Sequence, residues 1–182
     1  MHISALEEYG LRVLVSLGRA YVAGNKLSAS ILARQEGISV EYASKLLFLF
    51  RKSGLVGAER GAQGGFYLMK DPALINVKEV LKAVQGKKKS EGHCKCFTGQ
   101  QEECVHLNEC STRPVWSVLM EYFDNLTQKI SLADFLRKET EMHTYVRGLA
   151  ISQNEKIQSQ FQSSTIKNSE CQPLNKTQES QT

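Results

Sequence analysis

The feature that most constrains this chain is the punctuation of its apolar pattern between residues 28 and 54. Ser28 opens a short helical run, Ala29 to Gln35, that stops at Gly37. Ser39 opens another, in which Ala43, Leu46, Leu47 and Phe50 recur at i, i+3, i+4 and i+7. A serine oxygen accepts from the N–H groups that a helix start leaves open, and a glycine enters the left-handed conformation that ends one. Two helices joined only by Glu36-Gly37-Ile38 form a helix-turn-helix pattern. Before them, Leu6, Gly10, Val13, Leu14 and Leu17 share one face of a helix predicted over residues 4–22, which Gly24-Asn25 ends.

After Ser53-Gly54 come two short strand-like runs, Leu55-Val56 and Phe66-Tyr67-Leu68, around Arg60-Gly61-Ala62-Gln63-Gly64-Gly65. Apolar runs flanking a glycine-rich turn predict a β-hairpin, and a hairpin appended to a helix-turn-helix is a wing. Asp71-Pro72 breaks the chain, and Ile75 to Val84 carry the periodicity of another helix.

A helix that reads DNA needs one apolar face to dock on its own domain and one polar face to reach base edges and phosphates. Residues 39–52 satisfy both. The candidate DNA contacts are Ser28 and Ser39 at the two helix starts, Glu41, Tyr42 and Lys45 on the polar face, and Arg60 and Gly64 in the wing. Taken singly, each is equally a solvated surface residue. The charge balance supports them together: residues 1–89 hold 14 Lys and Arg against 7 Asp and Glu, net +7, whereas residues 90–182 are net −3. No apolar run approaches the ~18 residues of a membrane span, and Met1-His2-Ile3-Ser4 leads into an amphipathic helix without a basic, apolar or cleavage region. A cytoplasmic protein with no membrane partner is the expectation.

All five cysteines, Cys94, Cys96, Cys104, Cys110 and Cys171, fall in the second half, four of them within 17 residues. An odd number without an export signal points away from a disulfide framework, towards a metal or redox site. Cys96, Cys104 and Cys110 lie in a loop with no hydrophobic periodicity, long enough to fold back so that three thiolates converge on a soft metal centre. Zinc, an iron–sulfur centre and bare redox thiols all remain open on these residues, although the paired spacing usual in zinc modules is missing. A cysteine-nucleophile enzyme is disfavoured because no Cys–His–acid arrangement is identifiable.

Beyond the loop, Trp116, Leu119, Met120, Phe123, Leu126 and Ile130 form a stripe on a helix that starts near Pro114. The first 85 residues have enough apolar positions to close a core by themselves, so the stripe is read as a dimerisation surface. Ser131 then caps a short helix, Leu132 to Arg137. From about Ser152 the chain is rich in Gln, Ser and Asn and is expected to be disordered or weakly helical. The chain thus divides into a winged helix-turn-helix domain (1–86), a cysteine loop (87–113), a dimerisation helix with a short terminal helix (114–140) and a weakly ordered polar tail (141–182). The fold class is mainly α.

Residues 1–137 resemble the family of winged-helix transcription regulators that includes IscR, NsrR and RirA. The resemblance rests on Tyr9-Gly10-Leu11-Arg12, Gly37-Ile38-Ser39, Gly54-Leu55-Val56 and, most specifically, Arg60-Gly61 followed by Gly64-Gly65-Phe66. It implies a homodimeric repressor on a partly palindromic double-stranded operator, with Arg60 at the minor groove. It also implies an iron–sulfur cluster on Cys96, Cys104 and Cys110, 2Fe–2S favoured over 4Fe–4S, responding to nitric oxide, redox or iron status. Arg113-Pro114-Val115-Trp116 follows the last cysteine as in that family. Where some members place a ligating His, this chain has Arg113, which stays protonated and cannot ligate. Other members use an acidic residue in the first helix of the partner subunit, and Glu8 occupies that position. Ser44 and Lys45 stand where relatives place other polar residues, so operator sequence does not transfer.

Overall fold

The computed structural model of the protein describes residues 3–61, 63–85, 104, 106 and 109–163, with side chains up to residue 155. Helix α1 (Ala5–Val22) starts in a capping box. Ser4 Oγ accepts from Glu7 N, while Glu7 accepts from the Ser4 backbone N–H, so two open donors are satisfied reciprocally. Helices α2 (Ala29–Glu36) and α3 (Val40–Lys52) are capped by Ser28 and Ser39, whose hydroxyls accept from Ile31 N at 3.2 Å and Tyr42 N at 3.1 Å. Between them Gly37 sits at φ 67°, a conformation that costs a β-carbon-bearing residue dearly, and its N–H closes on Ala33 O. The expected helix-turn-helix is present.

Strands β1 (Val56–Glu59) and β2 (Gly65–Leu68) pair antiparallel, Val56 opposite Leu68 and Glu59 opposite Gly65. Leu27, in the α1–α2 connection, adds a bridge to Phe66 with bonds of 3.1 and 2.8 Å, tying the wing to the helices. One core fills the head: Val13, Leu14 and Leu17 of α1, Leu32 of α2, Leu46, Leu47 and Phe50 of α3, Leu55, Leu68 and Ile75, with Val80 and Val84 from α4 (Val77–Gln85). The stripe read from the sequence on α3 is buried completely, as Ala43, Leu46, Leu47 and Phe50 all have no exposed surface.

Three departures from the sequence reading share a cause in tertiary pairing. The helix expected from Ile75 starts two residues later, because Ile75 and Asn76 are extended against the chain beyond α5 (Arg113–Lys129). There Leu132 N donates to Ile75 O at 2.7 Å and Val77 N donates to Ile130 O at 2.9 Å. In consequence the core is not closed by the first 85 residues alone. Ile130 and Leu132 are buried, and Leu132, in a 3-10 helix (Leu132–Leu136), belongs to the head's core. The segment after α5 therefore folds back and anchors that helix.

The third departure is helix α6 (Glu139–Ser163), which occupies much of the stretch expected to be a weakly ordered tail. Met142, Tyr145, Val146, Leu149, Ala150 and Gln153 lie on one face and are partly or fully buried. Tyr145 donates to Lys129 O at 3.3 Å, and the nearly buried Gln153 donates to Tyr122 O, also at 3.3 Å. The stripe is too sparse to stand out in a polar sequence, and α5 supplies the surface and acceptors that favour it.

The return is fixed by Asp134, which is 8% exposed. It accepts from Ser131 N and Oγ at 2.9 and 2.7 Å and pairs with Arg137 at 2.9 Å. Burial raises its pKa, but the Ser131 and Arg137 contacts outweigh it and hold the carboxyl below its usual range. A carboxylate with a lowered folded pKa stabilises the fold above its unfolded pKa, near 4, and stops doing so as pH falls through the folded value. Asp134→Ala is expected to cost about 2 kcal/mol at pH 7. In urea titrations that gap should shrink towards zero under strongly acidic conditions, and a pH-independent gap would contradict this account.

Candidate nucleic-acid interface and cysteine segment

The outward face of α3 follows from its docked face. With Ala43, Leu46, Leu47 and Phe50 inward, Glu41, Ser44, Lys45, Phe48, Arg51 and Lys52 stand exposed. The Glu41 carboxyl is held below the usual carboxylate range by its own backbone N–H and then by the Ser39 hydroxyl. An ionised carboxylate in the first turn also suits the helix dipole. Ser39 and Lys45 are exposed, and Lys45 forms no ion pair among the described residues. Ser28 is half-buried in its capping role. Tyr42 also departs from the exposed placement read from the sequence. It is half-buried, its ring edge-on to Tyr9 with centroids 6.1 Å apart, and it packs against the core.

In the wing, Arg60 stands exposed just beyond β1 and makes no ion pair among the described residues, whereas the adjacent Glu59 pairs with Lys26 at 2.5 Å. Gly64 makes the turn possible. A β-carbon there would lie 2.3 Å from the Glu59 carbonyl oxygen, so any other residue would force the hairpin tip open. The structure thus leaves Arg60 exposed on the wing and gives Gly64 a steric role in the turn that follows it. Phe48 is the most exposed apolar residue of α3, and the sequence reading did not single it out. It falls between apolar Leu47 and Leu49, and only the observed docking of the helix separates it from the core residues.

The second candidate region surrounds the start of α5. Cys104 and Cys110 are free, half-buried thiols; Cys96, like Cys94 and His93, lies outside the described residues. Thr112 Oγ1 lies 3.2 Å from Cys110 Sγ and holds the thiol below its usual range against the cost of burial. The backbone N–H groups of Arg113 and Thr112 and the Arg113 guanidinium act in the same direction. Arg113 also donates to His106 O at 3.1 Å, closing the segment onto the helix start. A thiol so placed is biased towards thiolate, the form that binds a soft metal or reacts with an oxidant. Among the described residues no three His, Cys, Asp or Glu side chains are gathered into a metal site.

Glu8 stands at the exposed first turns of α1, paired with Arg12 at 2.8 Å. Both line a groove of about 680 Å³ between α1, α4 and α5, whose apolar walls include Leu11, Val15, Leu81 and Phe123. From Phe123 the apolar surface continues along α5 to Met120, Leu119, Trp116 and Val115, each roughly half exposed. The stripe read from the sequence therefore splits, with Ile130 in the core and its N-terminal half facing outward. Among the described residues no helix is long and apolar enough to cross a membrane.

Comparison with known proteins agrees with this architecture. A family model described as "Rrf2: Iron-dependent Transcriptional regulator" matches residues 3–138. The chain is 30% identical to the transcriptional regulator IscR of Xenorhabdus nematophila over 139 residues, 76% of this chain and 81% of that protein. It is 28% identical to the regulator NsrR of Geobacillus kaustophilus over 147 residues, 81% of this chain and 97% of that one. Among solved structures, T. potens IscR superposes with a TM-score of 0.59 at 26% identity, covering 75% of this chain and 86% of that one. With a winged helix-turn-helix, a basic outward face on α3 and relatives that are regulators rather than enzymes, this chain belongs to the Rrf2 family of DNA-binding transcriptional regulators.

Proposed function

We propose that the protein is a homodimeric repressor whose grip on a partly palindromic operator is set by an iron–sulfur cluster held on Cys96, Cys104 and Cys110. The observation that carries this reading is the order of features along one helix. Cys110, whose pKa the Thr112 hydroxyl lowers, lies three residues before a helix whose apolar face is exposed, and the far end of that helix is anchored to the winged domain. Two soft thiols, one of them acidified, are a donor set suited to iron or zinc. Glu8 of the partner subunit is the proposed fourth ligand. Its groove has apolar walls that run on into the exposed face of α5, a surface for a second copy of the chain to cover. Docking each α5 against its copy would bring the cysteine segment of one subunit near α1 of the other. A 2Fe–2S cluster suits three thiolates and one oxygen donor, with 4Fe–4S the other form. When bound, it would supply a redox- and nitric-oxide-sensitive link between the two heads.

The residues of the chain then divide the work. Cysteines hold the link, α5 joins the subunits, and α3 with Arg60 meets the duplex. Half-site matching depends on the spacing of the two recognition helices, so a change at the link alters affinity. Mobility shifts of cluster-loaded and cluster-free protein at one salt concentration test this, and equal affinities would remove the switch. A second reading keeps the regulator and replaces the cluster by thiol chemistry. It is favoured by the same acidified Cys110, and it expects iron-free protein whose DNA binding responds to oxidant and is restored by thiol reductant.

The wing makes its own prediction. Arg60→Ala should weaken operator binding about tenfold and lower the slope of log affinity against log salt by about two, one for each subunit's arginine. An unchanged slope measured by fluorescence anisotropy would take Arg60 out of the interface.

A further inference from the structure

The exposed face of α3 contains one residue that solvent exposure alone does not explain. Phe48 is 64% exposed near the middle of α3, on the face turned away from the core. Its neighbours on that face are Ser44 and Lys45 one turn before and Arg51 and Lys52 one turn after, all exposed. An aromatic ring left in water forfeits much of the burial that a phenylalanine offers, and α3 already has its buried phenylalanine, Phe50. A ring encircled by cations is also poorly suited to an apolar protein partner, because docking would desolvate three positive charges. It suits a polyanion that carries an isolated apolar feature.

We infer that Phe48 is a specificity-determining residue that reads the C5-methyl group of thymine in the operator's major groove. Glu41, Lys45, Phe48 and Lys52 follow at i, i+4, i+7 and i+11, so they share one line along the helix. When that line faces the major groove, Lys45, Arg51 and Lys52 reach phosphates or guanine edges. The thymine methyl is the distinctive apolar group displayed on the base edges there, and an aromatic side chain can contact it. The expected operator therefore carries a thymine in each half-site at a fixed distance from the dyad. This inference rests on the reading of α3 as the element that enters the major groove.

The test uses the full-length protein, purified anaerobically, to select an operator from random double-stranded DNA. Each conserved thymine is then replaced, symmetrically in both half-sites, by deoxyuridine, which removes only the methyl group. For the wild type, one such pair is expected to weaken binding about tenfold. Phe48→Ala should bind the thymine operator about tenfold more weakly than wild type and not distinguish it from the deoxyuridine version. Phe48→Leu should keep part of the discrimination. Wild-type indifference to deoxyuridine at every position, or discrimination retained by Phe48→Ala, overturns the inference while leaving the DNA-binding regulator intact. Dissociation of Phe48→Ala dimers in sedimentation also overturns it, by assigning the ring to a contact between subunits. Failure of the wild type to enrich any duplex removes the DNA-reading role of α3 and this inference together.

Discussion

Leu119→Glu is expected to abolish the proposed dimer and, with it, at least about a hundredfold of operator affinity. Leu119 is 54% exposed and Met120 47%, on the face of α5 that continues into the α1–α4 groove. A glutamate at such a position is harmless to an isolated chain, since it is a good helix former facing water. It becomes costly only if the face is buried against another molecule, where an unpaired carboxylate loses its hydration and gains nothing in return. The operator effect follows from geometry, because a dimer places two recognition helices on one palindrome whereas a monomer keeps only one half-site. Sedimentation velocity and mobility shifts read the two consequences separately. Ser117→Glu is the control, exposed on a different side of the same helix, and it should alter neither. A Leu119→Glu protein that stays dimeric and binds DNA normally would place the subunit contact elsewhere.

Cys104→Ala is the second large effect: the anaerobically purified protein should lose its iron and visible absorption and no longer respond to nitric oxide. With three thiolates proposed as ligands, removing one leaves too few soft donors to hold a cluster. Cys110→Ala should behave alike. Glu8→Ala should instead retain iron with an altered spectrum, because an oxygen donor is weak and exchangeable. The Arg12 ion pair with Glu8 makes a useful comparison, as Arg12→Ala frees the carboxylate without deleting it. Retention of wild-type iron and colour by Cys104→Ala would defeat the three-cysteine site. Colourless wild-type protein containing zinc would defeat the cluster while leaving the regulator standing. Oxidant-sensitive DNA binding by colourless, metal-free protein would favour the thiol reading, in which the acidified Cys110 reacts directly.

Most of the head was legible because its signals are local. Ser28, Gly37 and Ser39 act on backbone groups within four residues of themselves, and the 3.6-residue repeat of Ala43, Leu46, Leu47 and Phe50 admits one buried face. The hairpin was readable for the same reason, since the steric demand at Gly64 arises from Glu59, only five residues away. Three features were not legible locally. The return of Ile130 and Leu132 to the core depends on Ile75 and α1, far away in sequence. Helix α6 depends on carbonyls and surface supplied by α5. The half-buried position of Tyr42 depends on Tyr9, thirty-three residues earlier.

The sequence by itself determined the starts and stops of the first three helices, the wing and its arginine, the cysteine spacing and the excess of positive charge in the first half. These are consequences of backbone capping, steric limits on φ and ψ, and composition, which act at short range or need no coordinates. Tertiary structure decided which part of the α5 stripe is core and which faces outward, that the groove holding Glu8 and Arg12 lies between α1, α4 and α5, and that Phe48 stands on the outward face of α3. Those outcomes depend on how separate helices share a limited interior, and burial is settled only when every competing apolar residue has taken its place.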